Sequence, residues 1–172
     1  MKKPTISEQG FSLVELIVVV MLIGLISGIA LPSLLSGWDD QRLNAASKTS
    51  MAWLDDLRRK AIQYSTACRA TWNVIETNIS GQCDNEPNTI IVLNLKSEIN
   101  NSEKLRLSLE PDSPSTWLFT PRGTSTTNGQ VKFSVLGDPH DQRRCLRLTA
   151  PLGLIRAARQ IPTGECDFTT SF

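Results

Sequence analysis

Glu15 stands at the head of an otherwise apolar run that extends from Leu16 to Leu35. A carboxylate at the centre of a bilayer costs roughly 2.5–3.5 kcal/mol on insertion scales, and such groups normally have a partner. The nearest candidate is a chain terminus. Were the chain cut after Gly10, the new α-amino group of Phe11 would lie four residues from Glu15. Supplied by a neighbouring copy of such a segment, that amine would neutralise the carboxylate, and the segment would serve assembly as well as anchoring.

The first ten residues, Met-Lys-Lys-Pro-Thr-Ile-Ser-Glu-Gln-Gly, are polar. An ordinary secretory signal places its cut after the apolar stretch; here the candidate cut precedes it, so the stretch stays on the mature chain. Gly10-Phe-Ser-Leu-Val-Glu15 followed by the apolar run resembles the type IV prepilin signal of type IV pilins and type II secretion pseudopilins. The resemblance implies removal of residues 1–10 by an inner-membrane prepilin peptidase and N-methylation of Phe11. An uncleaved signal anchor with an incidental Glu15 is the competing reading.

Residues 11–35 would form a helix of about 37 Å, enough for a hydrocarbon core of about 30 Å. Lys2 and Lys3 hold the leader in the cytoplasm and send residues 36–172 across the inner membrane in a single pass. Gly24 and Gly28, with Ser27, have the small-residue spacing that lets helices approach closely, and Pro32 is expected to kink the helix. Trp38 follows at interface depth.

The exported portion suits one domain. Its four cysteines, Cys68, Cys83, Cys145 and Cys166, favour two disulfides in an oxidising periplasm, with three connectivities open. The competing zinc reading lacks a CxxC motif and has only His140, itself in a Gly-Asp-Pro-His-Asp turn, so no metal or other cofactor is expected. No nucleophile–base pair or phosphate-binding glycine loop points to an enzyme.

Beyond Ser36 a helical period continues through Leu43, Ala46, Ser50, Trp53, Leu54, Leu57, Ala61 and Tyr64, which predicts one helix from Phe11 to Tyr64. After Cys68 the period becomes two. Strands are predicted at 70–75, 90–95, 105–109, 117–119, 131–135, 145–149 and 152–156. The fold class is α+β: a long N-terminal helix, transmembrane in its first half, packed on an antiparallel sheet. Trp53 is expected in the core; Trp72 and Trp117 are open to a core or a surface role.

Two C-terminal segments resemble the GspH/FimT group of pilin-like proteins: Phe119-Thr-Pro-Arg-Gly123 with Gly129-Gln-Val-Lys-Phe133, and Arg143-Arg-Cys-Leu-Arg-Leu-Thr149 with Gly153-Leu-Ile-Arg156. The resemblance implies a minor pilin or pseudopilin whose partners are other such subunits. Some members bind DNA through a basic C-terminal patch with a Gly-Arg-x-Arg motif. Here Gly153 and Arg156 match and Leu154 replaces the first arginine, while Arg143, Arg144, Arg147 and Arg159 supply further charge. From Thr120 onward seven basic residues face four acidic ones, against a whole-chain net charge of +1. Exposed arginines would pair with phosphates without reading sequence; a solvated edge strand is the bland alternative. A membrane-anchored periplasmic domain outside any filament is a third reading.

Overall fold

The structure is a computed structural model that describes residues 12–99, 103–138, 141–161 and 164–169; for residues 28–36 it describes the helical backbone but not the side chains. Gly10, Phe11 and His140 therefore lie outside the described residues, as do the side chains at Gly28 and Pro32. Helix α1 spans Leu13–Gln63. The chain divides into two compact units, one up to Trp38 and one from Asp39 onward.

In the first unit every described residue from Ser12 to Ser27 is exposed. Among the described residues no helix is long and apolar enough to cross a membrane.

In the second unit α1 buries Leu43, Ala46, Ser50, Leu54, Leu57 and Ala61, the stripe that the 3.6-residue period predicts. Trp53 is half-buried against it, whereas Tyr64 lies beyond the helix end and is exposed. The helix stops without a glycine: Ser65 adopts φ 50° and Thr66 N donates to Ala61 O at 3.1 Å, a Schellman closure.

The strands are β1 (Cys68–Asn73), β2 (Asn78–Cys83), β3 (Ile91–Asn94), β4 (Leu105–Leu109), β5 (Thr116–Phe119), β6 (Gly129–Val135), β7 (Arg143–Thr149), β8 (Leu154–Gln160) and β9 (Cys166–Asp167), with a one-turn helix α2 (Leu95–Glu98) after β3. They form two antiparallel sheets, ordered β3-β2-β1-β5 and β4-β6-β7-β8-β9. Sequence pattern alone missed β2, β9 and α2 and placed β8 two residues early.

One core joins both sheets to α1. Trp72 of β1 meets Trp117 of β5 edge-on at 5.1 Å and Phe133 of β6 at 6.2 Å, so it links the sheets. Both tryptophans are buried, which settles their role as core. Disulfides Cys68–Cys83 and Cys145–Cys166 fasten β1 to β2 and β7 to β9.

Candidate functional site

Three features bear on function. The first is the start of α1. Glu15 sits in its first turn, exposed and surrounded by exposed apolar residues. The space around Gly24 is open, so nothing among the described residues uses its smallness.

The second is the arginine array of β7 and β8. Strand alternation splits it. Arg147 pairs with Arg156 and with Gln130 in register, and all three project from the outer face of the five-stranded sheet. Arg144 pairs with Arg159 and with Phe133 on the opposite, α1-facing side. The five arginines therefore do not converge.

Arg144 is 3% exposed and forms an ion pair with Asp40 of α1, while its Nε donates to Asn44 Oδ1 at 2.7 Å. Burial lowers its pKa and the nearby Arg159 adds to that; Asp40 opposes both. Arg144 is thus a strut between β7 and α1, and its assignment to a DNA-binding patch is corrected. The parity of Arg144 with the inward Leu146 and Leu148 is the sequence signal that identifies it.

Arg143 is held by Asp141 at 3.0 Å. Arg147 donates to Gln130 Oε1 from Nε and Nη2, at 2.9 and 2.6 Å, and its guanidinium lies 3.9 Å over the Phe168 ring. Beside it an open groove of about 930 Å³ carries both signs of charge, with Glu110 and Glu165 facing Lys132 and Arg147. Lys132 is already paired with Glu110 at 2.5 Å. A groove of mixed sign does not concentrate the field that a polyanion needs.

The third feature is the meeting of the two motif loops. Gly123 (φ 73°) and Gly153 (φ 64°) both adopt left-handed backbone. A Cβ on Gly153 would fall 2.7 Å from Gly123 O. Arg58 of α1 reaches both loops, donating from Nε to Gly123 O at 2.6 Å and from Nη2 to Leu152 O at 3.3 Å. Ser125 N donates to Pro151 O at 3.0 Å. The glycines of the motif thus permit a latch between two loops and the helix. Among the described residues no group of side chains could hold a metal ion.

An exposed apolar helix leading into a two-sheet antiparallel domain defines the pilin-like class. The solved structure of the minor pseudopilin EpsH from the type 2 secretion system of Vibrio cholerae superposes with a TM-score of 0.53 and 16% identity, over 72% of this chain and 99% of that one. The type IV minor pilin FimU of Pseudomonas aeruginosa PAO1 does so with 0.52 and 15%, over 74% and 94%. At such identities the likeness is one of fold. A family model described as "Type II transport protein GspH" matches residues 44–151, and one described as "Prokaryotic N-terminal methylation motif" matches residues 6–31. The chain belongs to the GspH family. No protein of curated function matches it.

Proposed function

We propose that this chain is a minor subunit of a type II secretion or type IV pilus filament, anchored in the inner membrane by residues 11–35 until it assembles. The observation that carries the reading is the start of α1. Twelve large apolar side chains from Leu13 to Ile26 are 45–77% exposed. A helix apolar all round belongs in lipid or in the interior of an assembly.

The physics of transfer between those two environments singles out Glu15. Lipid tails are as apolar as Leu or Ile, so moving the helix from membrane to filament gains little from the hydrophobic effect. The carboxylate is different. It costs up to roughly 2.5–3.5 kcal/mol, the value at the bilayer centre, and a neighbour's Phe11 amine, freed by prepilin peptidase and methylated, removes that cost in the filament. Glu15 then drives extraction, and the apolar side chains make extraction nearly neutral.

N-terminal sequencing of the membrane form and filament incorporation of Glu15→Ala test this together. We expect a mature terminus at Phe11 and at least a tenfold loss of incorporation with the folded domain unchanged. Retained Met1, or normal incorporation of the variant, refutes it.

Capture of DNA is the alternative within the same family. It draws mainly on Arg147 and Arg156, since Arg144 is buried in its ion pair, Arg143 is engaged by Asp141 and Arg159 faces the other side of the sheet. Two arginines can contribute a salt-dependent contact of only a few phosphates.

A further inference from the structure

Strand β9 leaves the plane of its sheet. It pairs with β8, at Arg159–Asp167 and Gln160–Cys166, yet Cys166 is bonded to Cys145 of β7. Strands two apart in a flat sheet are separated by about 9.5 Å, whereas the Cα atoms of Cys145 and Cys166 are 6.1 Å apart. The segment therefore curls back over the sheet. Cys145 shares strand parity with Arg147, so the face it covers is the outer one. Contacts with a further strand agree: from β6, Lys132 Nζ donates to Gly164 O and Gln130 Nε2 to Cys166 Sγ, both at 3.3 Å.

Arg147 lies under this segment. The Phe168 ring takes one face of its guanidinium, 3.9 Å away. Gln130 Oε1 takes the Nε–Nη2 edge, a fork that a phosphate would engage with two parallel bonds. Cys166 Sγ and Glu110 Oε1 in turn accept from Gln130 Nε2, which aims Oε1 at Arg147. Glu165 supplies one of the acids that give the adjoining groove its mixed sign. One segment thus covers a face of Arg147, backs the group on its edge and adds negative charge beside it. Arg147 and Arg156 are paired directly across β7 and β8, an arrangement that like charges disfavour, and both point away from the core.

We infer that residues 164–169 are an autoinhibitory strap, with the Cys145–Cys166 disulfide as its catch, over a site for a phosphate-bearing polyanion centred on Arg147 and Arg156. With the strap down, a phosphate meets Arg156 and an Arg147 whose face and fork are both taken. Lifting the strap frees the Arg147 face, releases Gln130 from Cys166 and withdraws Glu165 from the groove. Only two residue pairs join β9 to β8, so the covalent bond is the main fastening. The inference does not need the filament reading, and it stands or falls separately from DNA capture by the strapped chain.

The test titrates the full-length protein in detergent with a short DNA duplex as the polyanion, across a salt series. Cys145→Ser/Cys166→Ser releases the strap without changing net charge, and Phe168→Ala uncovers the guanidinium face with both disulfides in place. We expect the disulfide-free variant to bind about tenfold more tightly than wild type, the worth of one added charge-assisted contact. Its slope of log K against log salt should steepen by about one. Phe168→Ala should gain about threefold, the worth of an exposed cation–π contact. Arg147→Ala placed in either background should cancel the gain. If the disulfide-free variant fails to fold, Phe168→Ala carries the test alone. Unchanged affinity in the folded variants, or a gain that survives Arg147→Ala, overturns the inference. A gain in the variants over a wild type that does not bind supports it and removes DNA capture by the strapped chain.

Discussion

Asp40→Ala removes the partner of the most buried charge described in the protein. The Arg144 side chain is 4% exposed and that of Asp40 29%, so the two ends of the ion pair are unequal. Breaking a buried pair by removing one partner costs roughly 3–5 kcal/mol. Two features reduce that figure here. Water reaches Asp40, which screens part of the attraction. Arg144 also keeps Asn44 Oδ1 at 2.7 Å and Arg143 O at 3.3 Å. We therefore expect a loss of about 2–3 kcal/mol, or a Tm lower by about 5–10 °C at roughly 2–4 °C per kcal/mol. Removing the other end is gentler. Arg144→Met keeps the aliphatic volume, deletes the charge and leaves Asp40 to water, at about 1 kcal/mol. The double variant should therefore be more stable than Asp40→Ala alone. Urea unfolding of the full chain in detergent, followed by tryptophan fluorescence with both disulfides intact, measures all three. The reasoning is refuted if Arg144→Met costs as much as Asp40→Ala, or if the double variant is the least stable.

Two further outcomes follow from the same geometry. A DNA titration of the protein across a salt series should show only weak, salt-sensitive binding that Arg147→Ala/Arg156→Ala abolishes; loss on Arg159→Ala instead would place the contact on the other face of the sheet. Cys145→Ser/Cys166→Ser should lower stability by about 3 kcal/mol, the chain-entropy value for a loop of this size, and hydrogen exchange should quicken first in β9, because that two-residue strand has little else to hold it.

Elements with a regular burial period were legible in the sequence. The α1 stripe from Leu43 to Ala61 and the alternation of β4 and β6 appear as written, because each inward position carries an apolar side chain. Strand β2 was illegible for a physical reason. Its inward positions are Ile79, Gly81 and Cys83, and Gly81 is bare because the Trp53 ring occupies the space a side chain would need: an added Cβ would lie 2.7 Å from Trp53 Cη2. The alternation is completed by a residue on another element. Arg144 was misread for the opposite reason. Its inward parity was plain, but charge suggested exposure, and the partners that make burial tolerable, Asp40 and Asn44, lie about 100 residues earlier in the sequence.

The C-terminal motif divides along the same line. Its glycines answer to the fold: Gly153 must lack a Cβ so that its loop can rest on Gly123 O, and Arg58 closes both loops onto α1. Its arginine positions answer to nothing in the core. Leu154 and Arg156 alternate around the inward Ile155 and both point out from β8. Replacement of an arginine by Leu154 therefore costs the fold nothing, and the latch persists whether or not the strand carries charge. A sequence match to the glycines reports architecture, and only the outward positions can report a ligand. In this chain those positions offer one leucine, one arginine without a partner among the described residues, and one arginine already seated on Gln130 and Phe168. That inventory offers a polyanion a single unseated arginine on this face of the sheet.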